Sequence, residues 1–597
     1  MNPAPASIGV ASADAASDAV DVAIAGLGPT GLILAHALGQ RGVRVLVLER
    51  EPRFYGNARA VYTDGECMRI YQSLGMADRL AADMLQDAVA NLVLPNGKLL
   101  FQLRNARRTY GWPTHNFIYQ PLFESALAEG LARYPNVTVL RGRELVRLEQ
   151  DASEVRVWHA ESQGSGYGKS TADPHGAPRM QTRLRARYLV GADGGRSTVR
   201  ALVGIDMVGK NFPNPWLVVD IKAKDPRDGL HHLPNFNFIC DPACPTVSCI
   251  QPHGHHRFEF MLMPGQTRES MEHPDTVRQY LSRHIDVDKF EILRTLVYTF
   301  NALMAQRWRE GRVLLAGDAA HMTPQFIGQG MNAGVRDAFN LAWKLDAVLA
   351  GRASDALLDS YERERRPHAA AMTREGIRMK DYVSMVNPVG HIARNLLTKI
   401  VLATPWLGDF VTRGDFIPKP TYRTGSYMGL ARTWRNRAAG RQMPQPLVRG
   451  PLGRAQLLDE LTGNAPLLIG MGVDPRTQLT PSELMTWTAL DTRFIAAYAH
   501  GRRPEGAATE QATPDGLMEI EDLDGLLLDW LRANGARRGH VAIVRPDRVV
   551  FGLVPGRELG AATRAFTQQL HMKTPGDAMD PSGSRGSGPS TLIESNT

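Results

Sequence analysis

In the segment 312–345 an apolar run, Val313–Ala316, leads into Gly317 and the acid Asp318, and Gly328, Gly330 and Gly334 follow before a helical pattern. A carboxylate at a strand end accepts hydrogen bonds from polyol hydroxyls, and glycines let backbone come close to a ligand. The helix, predicted to start near Met331 or Asn332, points unpaired N–H groups at that ligand with the equivalent of about half a positive charge. An end of this kind stabilises an anion, and the grouping is suited to a flavin.

A second constellation lies near the N-terminus. Asp21–Ala25 reads as a buried strand, followed by Gly26-Leu-Gly28-Pro-Thr-Gly31, a helical stretch Leu32–Gln40, a strand Val43–Leu48, and Glu49 with Arg50 beside it. This is a dinucleotide fingerprint in its proper context: Gly26 makes the turn, Gly28 admits a pyrophosphate to the helix N-terminus, Gly31 lets helix and strand pack, and Glu49 takes ribose hydroxyls. A third strand, Leu189–Gly191, runs into Asp193 and the turn residues Gly194 and Gly195.

Taken in order, the three segments resemble the fingerprints of the class A flavoprotein aromatic hydroxylases, across residues 20–370. Trp216–Asp220, Arg257–Met261, Met263–Gly265 and Gly317–His321 extend the likeness to the subfamily that hydroxylates 3-(3-hydroxyphenyl)propionate. The resemblance implies an α/β fold with a Rossmann-type FAD-binding domain interleaved with a β-sheet substrate domain, plus a C-terminal thioredoxin-like α/β domain. It also implies the reaction: NADH or NADPH reduces FAD, O2 adds at the flavin C4a position, and the hydroperoxide hydroxylates a phenolic acid ortho to its hydroxyl. The most specific expectation is 3-(3-hydroxyphenyl)propionate, converted to its catechol. No second dinucleotide fingerprint is visible, in keeping with transient nicotinamide binding in this family. The fingerprints alone specify FAD, so three alternatives stand: another phenol, resorcinol-like or polycyclic; an FAD-dependent reductase or dehydrogenase that does not use O2; and, last, a non-catalytic flavin-binding scaffold.

Individual residues carry over by motif. Asp64, in Tyr62-Thr-Asp64-Gly-Glu66, matches an active-site aspartate that would assist phenol ionisation, while its position before Cys67–Tyr71 equally suits a helix N-cap. Tyr298 matches a tyrosine bordering the substrate, or is an ordinary strand tyrosine. Arg59 and Gln120 match residues that approach and bond FAD. Pro324 matches a proline whose carbonyl lies over the substrate ring, and Gly317, Asp318, Gly328, Gly330, Met331 and Asn332 complete the expected cofactor set. His321 reads as structural. Arg257 is a candidate cation for a propionate, or a cross-strand partner of Glu259 facing water.

Composition agrees: 43% hydrophobic and 22% charged residues describe an ordinary globular chain of two or three domains. The net charge of +8 suits an anionic cofactor and acidic substrates, but the basic residues are too scattered for nucleic acid. The first twenty residues are neither signal peptide nor membrane anchor, so a cytoplasmic protein is expected, and the family makes a homodimer plausible. Four cysteines do not suggest a disulfide scaffold, and Cys240, Cys244 and Cys249 with His253, His255 and His256 match no closed zinc spacing, so no metal is expected.

The expected organisation is a disordered N-terminus (1–19), a first FAD-binding part (20–200), a substrate sheet (201–300), a second FAD-binding part with a long helix (301–375), a helical connector (376–439), the thioredoxin-like domain (440–573) and a disordered tail (574–597). Ser162–Arg179 reads as a long, mobile hairpin loop. Apolar helical character is expected over Ile392–Leu407. The last cysteine is Cys249, so the C-terminal domain cannot do dithiol chemistry, and packing or subunit contact is its expected role.

Overall fold

A computed structural model describes residues 19–573 apart from 55–58, 105–106, 163, 165–179, 213, 231, 429–436 and 505–515. The expected N-terminal tail, C-terminal tail and most of the 162–179 loop lie outside the described residues.

Five parallel strands form the nucleotide-binding sheet, in the order Val313–Leu315, Gln181–Gly191, Ala19–Ala25, Val45–Glu49 and Val137–Arg141. Their register is the important fact. Ala25 pairs with Gly191 and with Leu48, and Gly191 pairs with Leu315. Four strands therefore end level, and Gly26–Gly28, Glu49, Asp193 and Gly317 follow those ends along one carboxyl edge, where open α/β sheets bind ligands. The hairpin strands Val155–Glu161 and Gln181–Gly191 pair antiparallel at the base of the 162–179 loop.

A second sheet runs Phe290–Tyr298, Trp216–Ala223, His255–Met261, Thr246–Ile250, Phe236–Ile239, Ala90–Val93 and Leu99–Leu103. Its last two strands come from within the 20–200 stretch, so the interleaving is finer than chain position suggests. Period-two alternation gives the sheet two different faces. Leu217, Val219, Phe258, Phe260 and Val297 pack under the helices Arg268–Glu272 and Pro274–Leu281. Trp216, Asp220, Arg257, Glu259 and Tyr298 occupy the opposite face.

The helix Gln329–Leu349 starts two to three residues earlier than expected, directly after Gly328, whose φ of 63° breaks the preceding turn. It packs against the helix Pro29–Gly39. The helix Asp359–Val383 follows, then a hairpin of helices Pro388–Ala403 and Pro405–Thr412, so the apolar stretch predicted as one helix breaks at Thr404-Pro405. No helix among the described residues is long and apolar enough to cross a membrane.

The C-terminal α/β unit is built on a separate seven-stranded mixed sheet with Leu467–Met471 near its centre. Buried charges fasten it to the flavin side. Arg545 donates to Glu364 at 2.6 Å and to Asp547 at 2.6 Å, while Lys344 donates to Glu364 at 2.7 Å. Asp459 accepts from both Arg69 and Arg548. Burial pushes Lys344 down to about 8, and the two cations, overcoming burial, hold the Glu364 carboxyl well below its ordinary range. Removing one member of such a buried set strands the others. Glu364→Ala is expected to cost about 3–5 kcal/mol, seen as a lower thermal midpoint and faster proteolysis between the two halves; an unchanged midpoint would refute the fastening role.

Candidate active site

The three glycines of the first turn do three different jobs. Gly26 has φ 99°, and a Cβ there would stand 2.5 Å from the Ala192 carbonyl oxygen of the adjoining turn. A Cβ on Gly31 would stand 2.0 Å from the Gly26 carbonyl oxygen, so this glycine sets the contact of helix and strand. A Cβ on Gly28 would meet nothing within 4 Å. Its open side lies at the N-terminus of the helix Pro29–Gly39, where a pyrophosphate would sit.

The same test sorts the second glycine group. Gly330 faces open space, as does Gly194 beside Asp193. A Cβ on Gly328 would run into the Tyr62 ring at 2.7 Å. Gly334 does not approach a ligand as the spacing suggested: its Cβ would meet Thr30 Oγ1 at 2.2 Å, so it serves the crossing of the two long helices. Gly317, with φ 60°, lies against the same Thr30.

The carboxyl edge has the polar groups a dinucleotide needs. Glu49 accepts from the Leu27 N–H at 2.7 Å and from the Glu51 N–H at 2.8 Å, placing its carboxylate beside the glycine turn. Arg50 is half-buried next to it, with Nε 3.7 Å from Glu51. Asp193 accepts from the Val199 N–H through Oδ2, while its buried Oδ1 has no hydrogen-bond partner among the described residues. Burial raises the pKa of that carboxyl. Asp318 is half-buried in the turn Gly317–Ala319. The helix Gln329–Leu349 has no side-chain cap, so its first N–H groups, beside Gly330 and Met331, offer positive potential to an anion. An orphaned carboxylate oxygen, open glycine positions and two uncapped helix starts together fit FAD.

Other expected residues act at one remove. Gln120 Oε1 accepts from the backbone N–H groups of Arg59 and Ala60, and its Nε2 donates to Glu124. It thus holds the backbone that presents the exposed Arg59. Burial raises Glu124 to about 7. Asn332 is fully buried: its Oδ1 accepts from Thr63 Oγ1 at 2.9 Å and its Nδ2 donates to the Gly328 carbonyl at 2.9 Å. Its side chain therefore clamps the helix start to the strand Tyr62–Asp64. The Pro324 carbonyl oxygen stands 3.1 Å from where a Cβ on Gly376 would be, so it faces the helix Asp359–Val383. His321 donates through Nε2 to Asp337 at 2.6 Å, deep in the core.

Asp64 is the N-cap of the helix Gly65–Ser73, with Oδ1 accepting from the Cys67 N–H at 3.0 Å. Its Oδ2 accepts from Arg336 and from Gln329, and the same guanidinium donates to Glu66 at 2.6 Å. Burial opposes ionisation of Asp64, but the Arg336 charge and the Cys67 N–H overcome it and hold the carboxyl below its ordinary range. Burial lifts Glu66 above its own. Arg336 and Glu66 were not singled out from the sequence. They lie 270 positions apart, and a lone helical arginine gives no signal of its partner.

On the second sheet, Tyr298 ends its strand opposite Trp216 and stands 5.5 Å from the Phe300 ring. Trp216 and Phe300 each lie 5.2 Å from Phe326, which belongs to the turn leading into the Gln329–Leu349 helix. Phe236 and Phe238 continue this apolar wall. The alternating strands carried the signal for it, but not its meeting with Phe326. Next to the wall, Asp220 pairs with Arg257 at 2.7 Å and with Arg294 at 2.8 Å. Arg257 is 2% exposed and also donates to the Arg59 carbonyl at 2.6 Å, so the water-facing pair with Glu259 is corrected: both residues are buried on one face. Glu259 accepts from Gln325 at 2.8 Å, and burial raises it.

Comparisons with known proteins agree with this geometry. A family model described as an FAD binding domain matches residues 19–376, and one described as the HcaD C-terminal domain matches 440–569. The chain is 35% identical over 563 residues to a 3-(3-hydroxy-phenyl)propionate/3-hydroxycinnamic acid hydroxylase of Escherichia coli O81 (strain ED1a), covering 94% of this chain and 96% of that protein. In structure it is similar to the flavin-dependent monooxygenase PieE, solved with FAD and substrate, with TM-score 0.72 and 21% identity over 93% of this chain and 99% of that one. It is also similar to p-nitrophenol 4-monooxygenase PnpA from Pseudomonas putida DLL-E4, with TM-score 0.59 and 25% identity over 67% of this chain and 97% of that one.

The glycine geometry makes a paired prediction. Gly28→Val should fold, with an unchanged circular dichroism spectrum, yet purify without flavin, because its side chain enters only open space. Gly31→Ala should instead lower the thermal midpoint of the flavin-free chain, because its methyl meets backbone. Full flavin content in Gly28→Val would place the cofactor elsewhere.

Proposed function

The chain belongs to the family of FAD-dependent aromatic monooxygenases, and we propose that within it this protein hydroxylates a phenolic acid, 3-(3-hydroxyphenyl)propionate or a close analogue, at the position ortho to the phenol, using NADH or NADPH and O2. The observation that carries this reading is the meeting of the aromatic wall Trp216, Tyr298 and Phe326 with the uncapped start of the Gln329–Leu349 helix. A flat apolar wall orients a ring, and the helix end stabilises negative charge beside it.

Bound FAD supplies the redox chemistry and the activation of oxygen. Gly28, Gly330, Glu49 and Asp193 would hold it along the carboxyl edge, with Arg59 presented by Gln120. The Trp216 and Phe326 rings exclude water, and the Tyr298 hydroxyl is the group we assign to the substrate phenol. Asp64 we assign to positioning: a carboxylate that already shares a buried guanidinium is a weak base, and its evident work is to hold Arg336 and the start of the long helix. Asp64→Asn should therefore weaken flavin binding while leaving the shape of the kcat–pH profile intact. Loss of an acidic limb from that profile would restore Asp64 as the proton acceptor.

Charge on the sheet favours an acid. We place the partner of such an acid at the Asp220 cluster, where two arginines meet one carboxylate. Arg257 lies buried between Asp220 and the Arg59 carbonyl, whereas Arg294 pairs with Asp220 on the face and strand of Tyr298, and that placement makes it the cation we assign to a carboxylate. The four-residue step from one to the other spans about 13 Å, room for a ring and a three-carbon acid. Arg294→Met should raise KM for 3-(3-hydroxyphenyl)propionate about 10- to 100-fold while changing KM for 3-methylphenol little. An equal rise for both phenols would remove Arg294 from substrate binding.

The reading as a whole is tested by NADH and oxygen consumption of the FAD-loaded protein with and without 3-(3-hydroxyphenyl)propionate, following catechol. One product per NADH is expected. Stimulated consumption that yields only hydrogen peroxide would move the substrate to another phenol, and no oxygen uptake with any phenol would overturn the proposal.

A further inference from the structure

The helical hairpin Pro388–Ala403 and Pro405–Thr412 has two contrasting faces. Its inner face is fully employed: His391 bonds the Cys240 carbonyl at 3.0 Å, Arg394 donates to the Tyr382 carbonyl at 2.8 Å, and Thr398 bonds the Tyr382 hydroxyl at 2.7 Å. Leu402 and Val411 pack against the aromatic wall of the substrate sheet. The outer face carries Val389, Ile392, Leu396, Leu397, Ile400 and Trp406, with exposures from 56% at Ile400 to 77% at Val389. Positions 389, 392, 396 and 400 recur every three to four residues, so they form one stripe, with the Trp406 ring extending it past the turn.

Such a stripe needs an occupant. The six side chains present on the order of 800 Å² of accessible surface, more than the usual largest apolar patch of a monomer and about what each partner gives to a stable interface. We propose that this face is the contact by which two copies of the chain associate. An apolar stripe is complementary to itself, as a two-fold contact requires. Two neighbouring pairs of charges are of opposite sign, Asp409 with Arg413 and Asp415 with Lys419, which limits like-charge repulsion between two copies. A lipid surface fits less well, because helices that lie on membranes present several cations along their polar face, and here Arg394 is turned inward, leaving Lys399. The contact would also brace the hairpin against the substrate wall.

The test is sedimentation of the FAD-loaded full-length protein at micromolar concentrations, with the double variant Leu396→Glu/Trp406→Glu and the control Leu452→Glu, a leucine 64% exposed on the C-terminal unit. A wild-type dimer, a dissociation constant raised about 100-fold or more in the double variant, and a control that stays dimeric are expected. Flavin content and the circular dichroism spectrum report whether the double variant is folded, and both should match wild type. A monomeric wild type, a dimer that survives the double variant, or a monomer that binds phosphatidylcholine vesicles through these residues would each overturn the proposal.

Discussion

Everything in this molecule leans on one helix whose buried polar residues must each find a partner. Along Gln329–Leu349, Asn332 clamps Thr63, Arg336 joins Asp64 to Glu66, Asp337 takes His321 and Arg365, Asn340 reaches Asp547, and Lys344 reaches Glu364. Burying these groups is costly unless each is paired, and the pairing brings four separate parts of the chain to one helix. Burial opposes ionisation of Asp337, yet His321 and Arg365 hold its carboxyl at about 2. The uncapped start of this helix is the end left over for a ligand.

The site then follows from two surfaces that meet at that start. The parallel sheet contributes an edge of level strand ends, which is why turns far apart in sequence stand in one row. The second sheet contributes a face, where alternation places aromatics at one end and the Asp220 cluster at the other. Arg257 joins the two directly, because its guanidinium reaches from Asp220 to the carbonyl of Arg59. The second sheet and the loop that carries Arg59 are therefore mechanically connected. Asp459 of the C-terminal unit grips Arg69 on the helix that Asp64 caps, so the unit steadies the site from behind.

Much of this was legible in the chain. The strands and turns around Gly26–Gly31, Asp193 and Gly317 are local objects, set by glycine's freedom and by apolar runs, and they occur within a few residues of the expected places. The separate roles of Gly26, Gly28 and Gly31 follow the same logic. Gly334 misled because a glycine near a helix start suits either a ligand or a packed neighbour, and Thr30, which decides the matter, is some three hundred residues away. Asp64 was legible as an N-cap, since the cap contacts the third residue on, but its bond to Arg336 was not.

What the sequence by itself determined was therefore the set of turns, the alternation of the strands, the likeness to flavin hydroxylases and the absence of cysteine beyond Cys249. Only the tertiary structure decided which charges meet: Arg336 with Asp64 and Glu66, Arg257 with Asp220 and the Arg59 carbonyl, Arg545 with Glu364. The reason is physical. Turn and strand preferences arise from sterics between near neighbours and leave a mark at the position itself, whereas a buried ion pair is defined by two residues that share no local pattern and find each other only when the sheets close around them.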